Sequence, residues 1–356
     1  MEFGIALATS ANSWALVQRA EELGFTHAWF YDTQLLSADC FVAMGASAVK
    51  TKRIRLGTGV LIPSNRIAPV SANALATLNR LAPGRIDFGV GTGFTGRRTM
   101  GLRAIKLKNL EEYIRVVRGL LNEEIVETEL EGQTRKIQFL NPDLKLINTQ
   151  SPIPLHISAF GPKSRSLTAK LGAGWLNFLG DVSSGIRAIG AMRQSWSSQG
   201  RDTQDLLANG FVLGCILEPD EPCNSARALA QAGPRAAVAL HRAADEAIDG
   251  LPSSGQVPEF IRDAIDSYVK LSESFQPEDA KYLTNHRGHL MFVREQERPF
   301  ITEELIRKTT FTGVAKDIEA RIGELRDAGY TQFTIQIVPG QEEAIEDWAR
   351  LKKNFA

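Results

Sequence analysis

The chain has few cysteines. Cys40, Cys215 and Cys223 are the only three in 356 residues. That is too sparse for a disulfide framework, and their spacing matches no thiolate metal site. They fit a reducing compartment. Of the five histidines, His286 and His289 lie closest together, with no carboxylate beside them at ligand spacing, so no metal centre is expected. Net charge is absent too: Lys plus Arg and Asp plus Glu are 41 each. This balance gives no support for a nucleic-acid or membrane-surface role. No apolar run approaches the roughly 20 residues of a membrane span. The opening MEFGIALATSANSW enters a strand-like run without a basic segment or cleavage site, so no signal peptide and a cytoplasmic location are expected. There is no low-complexity tract, P-loop or G-x-S-x-G elbow. A small-molecule partner is what remains.

With 43% hydrophobic residues, the chain can bury a sizeable core. It is organised around residues 53–101. Two apolar strands, Ile54 to Ile62 and Arg85 to Val90, flank a helix over Ala68 to Leu81. Ile67, Val70, Ala74, Leu78 and Leu81 share a face at helical spacing and are expected to point inward. Pro83-Gly84 ends the helix, giving one βαβ unit with a right-handed connection. Gly57-Thr58-Gly59 and Gly91-Thr92-Gly93 are glycine-rich turns in or after the two strands. Each also reads as a bulge or an ordinary loop; together, beside Arg97 and Arg98, they suggest an anion-holding site. Gly91, Gly93 and Gly96 form a literal G-x-G-x-x-G. Arg97-Arg98-Thr99 then runs into Gly101, and Glu111-Glu112 about 20 residues on falls inside the next helix, which argues against a dinucleotide fold.

The alternation continues along the chain. Strands are expected at Phe3 to Ala8, His27 to Tyr31, Ile153 to Ser158, Trp175 to Leu179, Asn209 to Leu217 and Gln332 to Val338. Helices follow them, and a charged hairpin excursion occupies residues 122–152 before the fifth strand. Residues about 219–311 break the pattern with two or three helices and the irregular NHRGHLMFVREQERPF. So long an insertion is usually a lid or binding element. Eight β-then-α units in one composition regime predict a single (β/α)8 TIM barrel over residues 1–356. The doubly wound alternative needs about six strands and a switch point. The carboxyl rim would gather Asp32 to Gln34, Gly59 to Ser64, Gly91 to Thr95, Ala159 to Ser164, Asn177 to Asp181 and Pro339-Gly340. Such a surface suits a bulky planar cofactor with a phosphate. Ser158, Ala159, Phe160, Gly161, Pro162, Lys163 and Ser164 form a cradle for that phosphate at a helix start. They read equally as a tight turn with proline near the helix start.

Several stretches resemble the bacterial-luciferase-like superfamily of flavin-dependent oxidoreductases, most of all the branch containing methylene-tetrahydromethanopterin reductase. They are RIRLGTGV, APVSANALATLNRLAPGRIDFGVGTG, RRTMGLRAIKLKNLEEYIRVVRGLL, HISAFGPKS and TGVAKDIEARIGELRDAG. The resemblance implies a (β/α)8 barrel with the insertion after strand seven. It implies a non-proline cis peptide at Gly59-Val60 against the flavin ring. It places Asp32, Thr33 and Gln34 near the ring, with Thr58 and Gly91 beside these turns, and Thr92, Gly93 and Phe94 near the phosphate end. Residues 159–164 would bind the phosphate. Many branch members carry histidine where Thr33 stands, so their proton shuttle does not transfer. His286, His289 and Gln34 are the catalytic candidates. The leading expectation is a two-component monooxygenase that takes reduced FMN from a partner reductase and uses oxygen on a small organic substrate. The alternative is hydride transfer with a deazaflavin, coenzyme F420; further alternatives are an NAD(P) dehydrogenase and a non-catalytic flavin-binding protein. The resemblance also implies a homodimer through helices two and three, whose small residues Ala43, Ala46, Ala72 and Ala76 would permit close approach.

Overall fold

A computed structural model describes residues 1–250 and 259–355. Eight parallel strands close into a barrel. They are β1 (Glu2–Leu7), β2 (His27–Phe30), β3 (Arg55–Thr58), β4 (Ile86–Val90), β5 (Leu155–Ser158), β6 (Gly174–Phe178), β7 (Ala208–Val212) and β8 (Gln332–Ile337). Each pairs with its chain neighbours, and β8 closes on β1 with Glu2 opposite Gln332. The closed sheet excludes the doubly wound dinucleotide fold. The principal helices are α1 (Ser13–Glu22), α2 (Cys40–Lys50), α3 (Ala68–Leu81), α4 (Leu107–Leu121), α5 (Pro162–Leu171), α6 (Val182–Ser197), α7 (Gly233–Asp249), α8 (Arg262–Ser272), α9 (Ala315–Ala328) and α10 (Ala344–Lys352). The antiparallel hairpin Val126–Leu130 with Gln133–Ile137 stands off the barrel before β5, as expected.

The barrel interior is packed in layers. At its amino end Asp87, buried, accepts from Arg55 at 2.9 Å and faces His156 Nε2 at 3.3 Å. His27 sits beside them, far from the carboxyl rim. Above lie Trp29, Tyr31, Leu176 and Phe211, a separate apolar cluster that forms the floor of the mouth.

Helix α3 forms where periodicity put it but turns a different face inward. Ile67, Val70 and Leu81 are 57%, 50% and 46% exposed, while Ser71, Ala72, Leu75, Ala76, Leu78 and Asn79 are buried. Hydropathy misjudged the face because two buried polar side chains have built-in partners. The Tyr113 hydroxyl donates to Ser71 Oγ at 2.6 Å. The Asn79 amide donates to the Asn148 and Ser151 carbonyls at 3.0 and 2.8 Å. A satisfied polar group costs little to bury. Of the small residues on the expected dimer face, Ala43, Ala72 and Ala76 are buried within the protomer and Ala46 is half-buried.

The insertion follows β7 and a short strand, Ile216–Leu217, that pairs with Gly313–Val314 before α9. That pairing leaves Val314 outside the helix and partly exposed rather than in the core. Helices α7 and α8 have their own apolar core around Leu240, Ala244, Ile265 and Tyr268. Residues 251–258 of the insertion lie outside the described residues. Cys40, Cys215 and Cys223 are free thiols.

Candidate active site

A cavity of about 330 Å³ opens at the carboxyl mouth of the barrel, beneath the insertion. One wall is glycine. Gly91 and Gly93 follow β4, where a Cβ at Gly91 would come within 2.8 Å of Val60 Cγ2 and one at Gly93 within 2.6 Å of Ile62. Gly93 also has φ +79°, which glycine adopts without strain. The absent side chains therefore define a flat recess. The Gly59–Val60 peptide is cis and lines it. A Cβ at Gly59 would point away from the recess, 3.1 Å from Trp29 Cβ in the barrel core. The floor is Leu176, Phe178 and Phe211.

Of the residues expected from sequence, Asp32, Thr33, Gly59, Val60, Gly91, Thr92, Gly93, Phe94, Ser158, Phe160 and His289 all line this cavity. Asp32 is committed within the protein: it accepts from Arg66 at 2.8 Å and from Asn65 at 3.0 Å. The other expected residues stand elsewhere. Gln34 donates to the Gly96 carbonyl at 2.6 Å and accepts from Asn65 at 2.6 Å, so both ends of its amide brace loops and neither reaches the cavity. Thr58 is fully buried and donates to the Gly89 carbonyl at 2.7 Å, clamping β3 to β4. Ala159 is buried behind the wall. Gly161, Pro162, Lys163 and Ser164 form the first turn of α5 at the open rim. His286 is buried and does not line the cavity; its Nε2 faces Asp245 Oδ1 at 2.7 Å.

The insertion supplies what the sequence pattern did not show. His241 on α7 reaches the loop that carries His286 and His289. A ring nitrogen from each of the three lies within 4.8 Å of the others. Two carboxylates, Asp245 and Glu297, stand behind them. The spacing behind the expectation of no metal centre is blind to this cluster, because His241 is 45 or more positions from the other two histidines. His241 Nδ1 and His289 Nδ1 are 2.7 Å apart, within hydrogen-bond distance.

Hydrogen-bond accounting assigns the protons. Burial alone would raise Glu297, but its bonds to His241 and Arg294 outweigh that and hold it at about 2. It therefore accepts only. His241 Nε2, 2.6 Å away, must carry a hydrogen. Burial also lowers His241, which keeps it neutral and leaves Nδ1 as an acceptor. His289 Nδ1 then donates to it. Burial, reinforced by neighbouring His241, His286, Arg242 and Arg235, lowers His289 well below its ordinary value. Its Nε2 is consequently an unprotonated lone pair, 3.4 Å from Thr95 Oγ1 at the cavity wall. A base backed by a second imidazole and a carboxylate is the arrangement this produces.

A closed parallel barrel with a walled cavity at its carboxyl mouth defines a small-molecule enzyme of the (β/α)8 class. The chain belongs to the luciferase-like monooxygenase family, whose model matches residues 6–346. It is similar to 5,10-methylenetetrahydromethanopterin reductase of Methanolobus tindarius, 26% identical over 92% of this chain and 91% of that one. It is also similar to the corresponding reductase of Archaeoglobus fulgidus, 31% identical over 49% of this chain and 52% of the relative. A third relative is the F420-dependent glucose-6-phosphate dehydrogenase of Kineococcus radiotolerans, 31% identical over 44% and 49%. The chain thus spans about half the length of the last two. Among solved structures, the coenzyme F420-dependent tetrahydromethanopterin reductase of Methanopyrus kandleri superimposes with a TM-score of 0.69 at 20% identity, over 98% of this chain and 97% of that one. The oxygenating constituent of 3,6-diketocamphane monooxygenase of Pseudomonas putida, in complex with FMN, gives 0.63 at 12% identity, over 99% and 96%. These two share the fold.

Proposed function

We propose that this enzyme transfers hydride between a deazaflavin of the coenzyme F420 type and an alcohol or carbonyl substrate. What carries the reading is the unprotonated Nε2 assigned to His289, which lines the cavity together with the glycine wall and has Thr95 Oγ1 beside it at 3.4 Å. A hydride-transfer dehydrogenase needs a group that takes the hydroxyl proton as the carbon is oxidised, or returns it on reduction. The relatives named above as F420-dependent support the same choice over FMN. The recess suits a planar ring: it is apolar, and side chains at Gly91 or Gly93 would fill it. Gly59, Val60, Gly91, Thr92, Gly93, Phe94 and Ser158 would hold the ring and its chain. The first turn of α5, with Lys163 beside it, would hold the phosphate. When bound, the coenzyme supplies or accepts the hydride. The chain's own residues do the rest. Thr33 and Asp32 would border the ring end, the insertion would cover the mouth, and His289 would move the proton, its tautomer held by His241, which Glu297 orients in turn.

The test is an anaerobic titration of the protein with reduced coenzyme F420 and, separately, reduced FMN, followed by admission of air. Tight F420 binding that ignores air is the expected result. The second reading, an FMN monooxygenase fed by a partner reductase, is favoured by the FMN-bound structural neighbour. Tight FMN binding with slowed, protein-altered reoxidation would establish it and overturn the first. A homodimer is part of this proposal. Val42 and Val49 on α2 and Ile67 and Val70 on α3 are exposed and apolar, and light scattering measures the mass.

A further inference from the structure

Two arginines of α7, Arg235 and Arg242, have no hydrogen-bond or ion-pair partner among the described residues. Arg235 and Arg242 are seven residues apart, two helical turns, and so project from one face. Both line the cavity. The Nε of each is buried without a hydrogen-bond acceptor. Among the described residues no carboxylate lies within ion-pair distance of either, although nearby cations have theirs: Arg98 lies 3.7 Å from Asp245, Arg66 pairs with Asp32, and Arg294 with Glu297. The two anions closest in field, Asp181 and Asp245, hydrogen-bond elsewhere, although Asp245 Oδ2 takes no hydrogen bond. Asp181 caps α6 through Ser184 N at 2.8 Å, and Asp245 Oδ1 takes His286 and Asn285. Arg242 rests 4.9 Å from the Phe94 ring centroid, which orients the guanidinium without neutralising it.

Burial lowers Arg235 to about 10, and the nearby charge of Arg242 adds to this, so it remains a cation at neutral pH. Two half-buried cations on one face, with no carboxylate within ion-pair distance among the described residues, are costly to hold. They persist where a ligand completes them. Their position separates that ligand from the phosphate cradle of α5. Arg235 reaches to the end of β6, where its Nη2 stands 3.5 Å from a Cβ built on Gly180. It lines the same cavity as Tyr31, His289 and Leu290.

We propose that Arg235 and Arg242 form an oxyanion subsite, so that the substrate is an alcohol or carbonyl compound bearing a carboxylate or phosphate. This rests on the hydride-transfer reading and deepens it. The guanidinium forks hold the anion in place, which sets the reacting carbon between His289 and the glycine wall.

The test uses calorimetry and thermal unfolding on the full chain without coenzyme. The probes are inorganic phosphate, benzoate and, as the neutral control, benzyl alcohol. Wild type is expected to bind phosphate and benzoate at least tenfold tighter than benzyl alcohol, and to gain Tm with phosphate. Arg235→Met and Arg242→Met are expected to lose at least roughly 30-fold in anion affinity. Removing one of two half-buried cations without an ion-pair partner should also raise the Tm of the ligand-free protein. Should either Met variant fail to fold, Arg235→Gln and Arg242→Gln carry the same expectations. Three results would overturn the subsite. They are anions binding no better than benzyl alcohol, variants keeping wild-type anion binding, and variants losing coenzyme F420 while retaining benzoate, which would give the arginines to the cofactor. Failure of wild type to bind coenzyme F420 is read in a separate titration and refutes the hydride reading alone.

Discussion

Replacing His241 by phenylalanine tests the proton assignment at its most exposed point. The ring volume is retained, so the core of the insertion should close around it. Glu297 keeps Arg294 at 2.5 Å and Tyr268 at 3.2 Å and stays a satisfied carboxylate. The loss falls on His289, whose Nδ1–H has its 2.7 Å acceptor removed in a site with almost no solvent. Leaving a buried donor unpaired costs about 1–3 kcal/mol. His289 escapes that cost by changing tautomer, placing the hydrogen on Nε2 towards Thr95. The base is then capped. A lost general base costs about 10²–10⁴ in rate. His241→Phe should therefore lower kcat by that factor, His289→Phe by about as much, and the double variant by little more, because the two act as one unit. Nitrogen-15 NMR of histidine-labelled protein reads the same assignment without a substrate. In wild type His289 Nε2 should give the shift of an unprotonated nitrogen; in His241→Phe that of a protonated one. A protonated Nε2 in wild type at neutral pH, or no change on His241→Phe, would refute the reasoning.

Stability should fall on acidification. Burial lowers His27 to about 4, against an unfolded value near 6.5. Above pH 6.5 both states are neutral and nothing is lost. Between 6.5 and 4 the unfolded chain binds the proton and the native state refuses it, so stability declines by about 3 kcal/mol for this residue. His241 and His289 shift in the same direction and steepen the slope, which urea midpoints at several pH values would measure. Gly89→Ala should not yield folded protein, since its Cβ would fall 1.9 Å from the Thr58 carbonyl oxygen; soluble, cooperatively unfolding protein would contradict the β3–β4 packing. Gly91→Val should leave a cooperative unfolding transition and reduce cofactor affinity at least tenfold, because its side chain enters the recess beside Val60 and Ser158; unchanged binding would remove the glycine wall from the site.

The alternation of strands and helices was legible because both periods are local. Hydrophobic spacing, Pro83-Gly84 and the Gly172 and Gly329 helix ends act over a few residues, and they put α3 and β4 within a residue of their expected bounds. The glycine wall was legible for a related reason: once the strands are parallel, every turn at a carboxyl end meets every other. The rotation of α3 was not legible. It depends on Tyr113, Asn148 and Ser151 satisfying Ser71 and Asn79, and those partners come from other elements. The insertion was least legible, because its chemistry is a convergence. The alanine-rich GPRAAVALHRAADEAID places Arg235, His241 and Arg242 among small residues, a signal that could have marked α7 as a functional face. Its meaning comes from elsewhere in the chain. Glu297 fixes the proton on His241, His241 fixes the tautomer of His289, and the barrel mouth leaves Arg235 and Arg242 without an anion. Local pattern determined that this chain would be a barrel with an open carboxyl rim. Only tertiary contact, by burying charges and choosing their partners, decided which side chains at that rim are free to act.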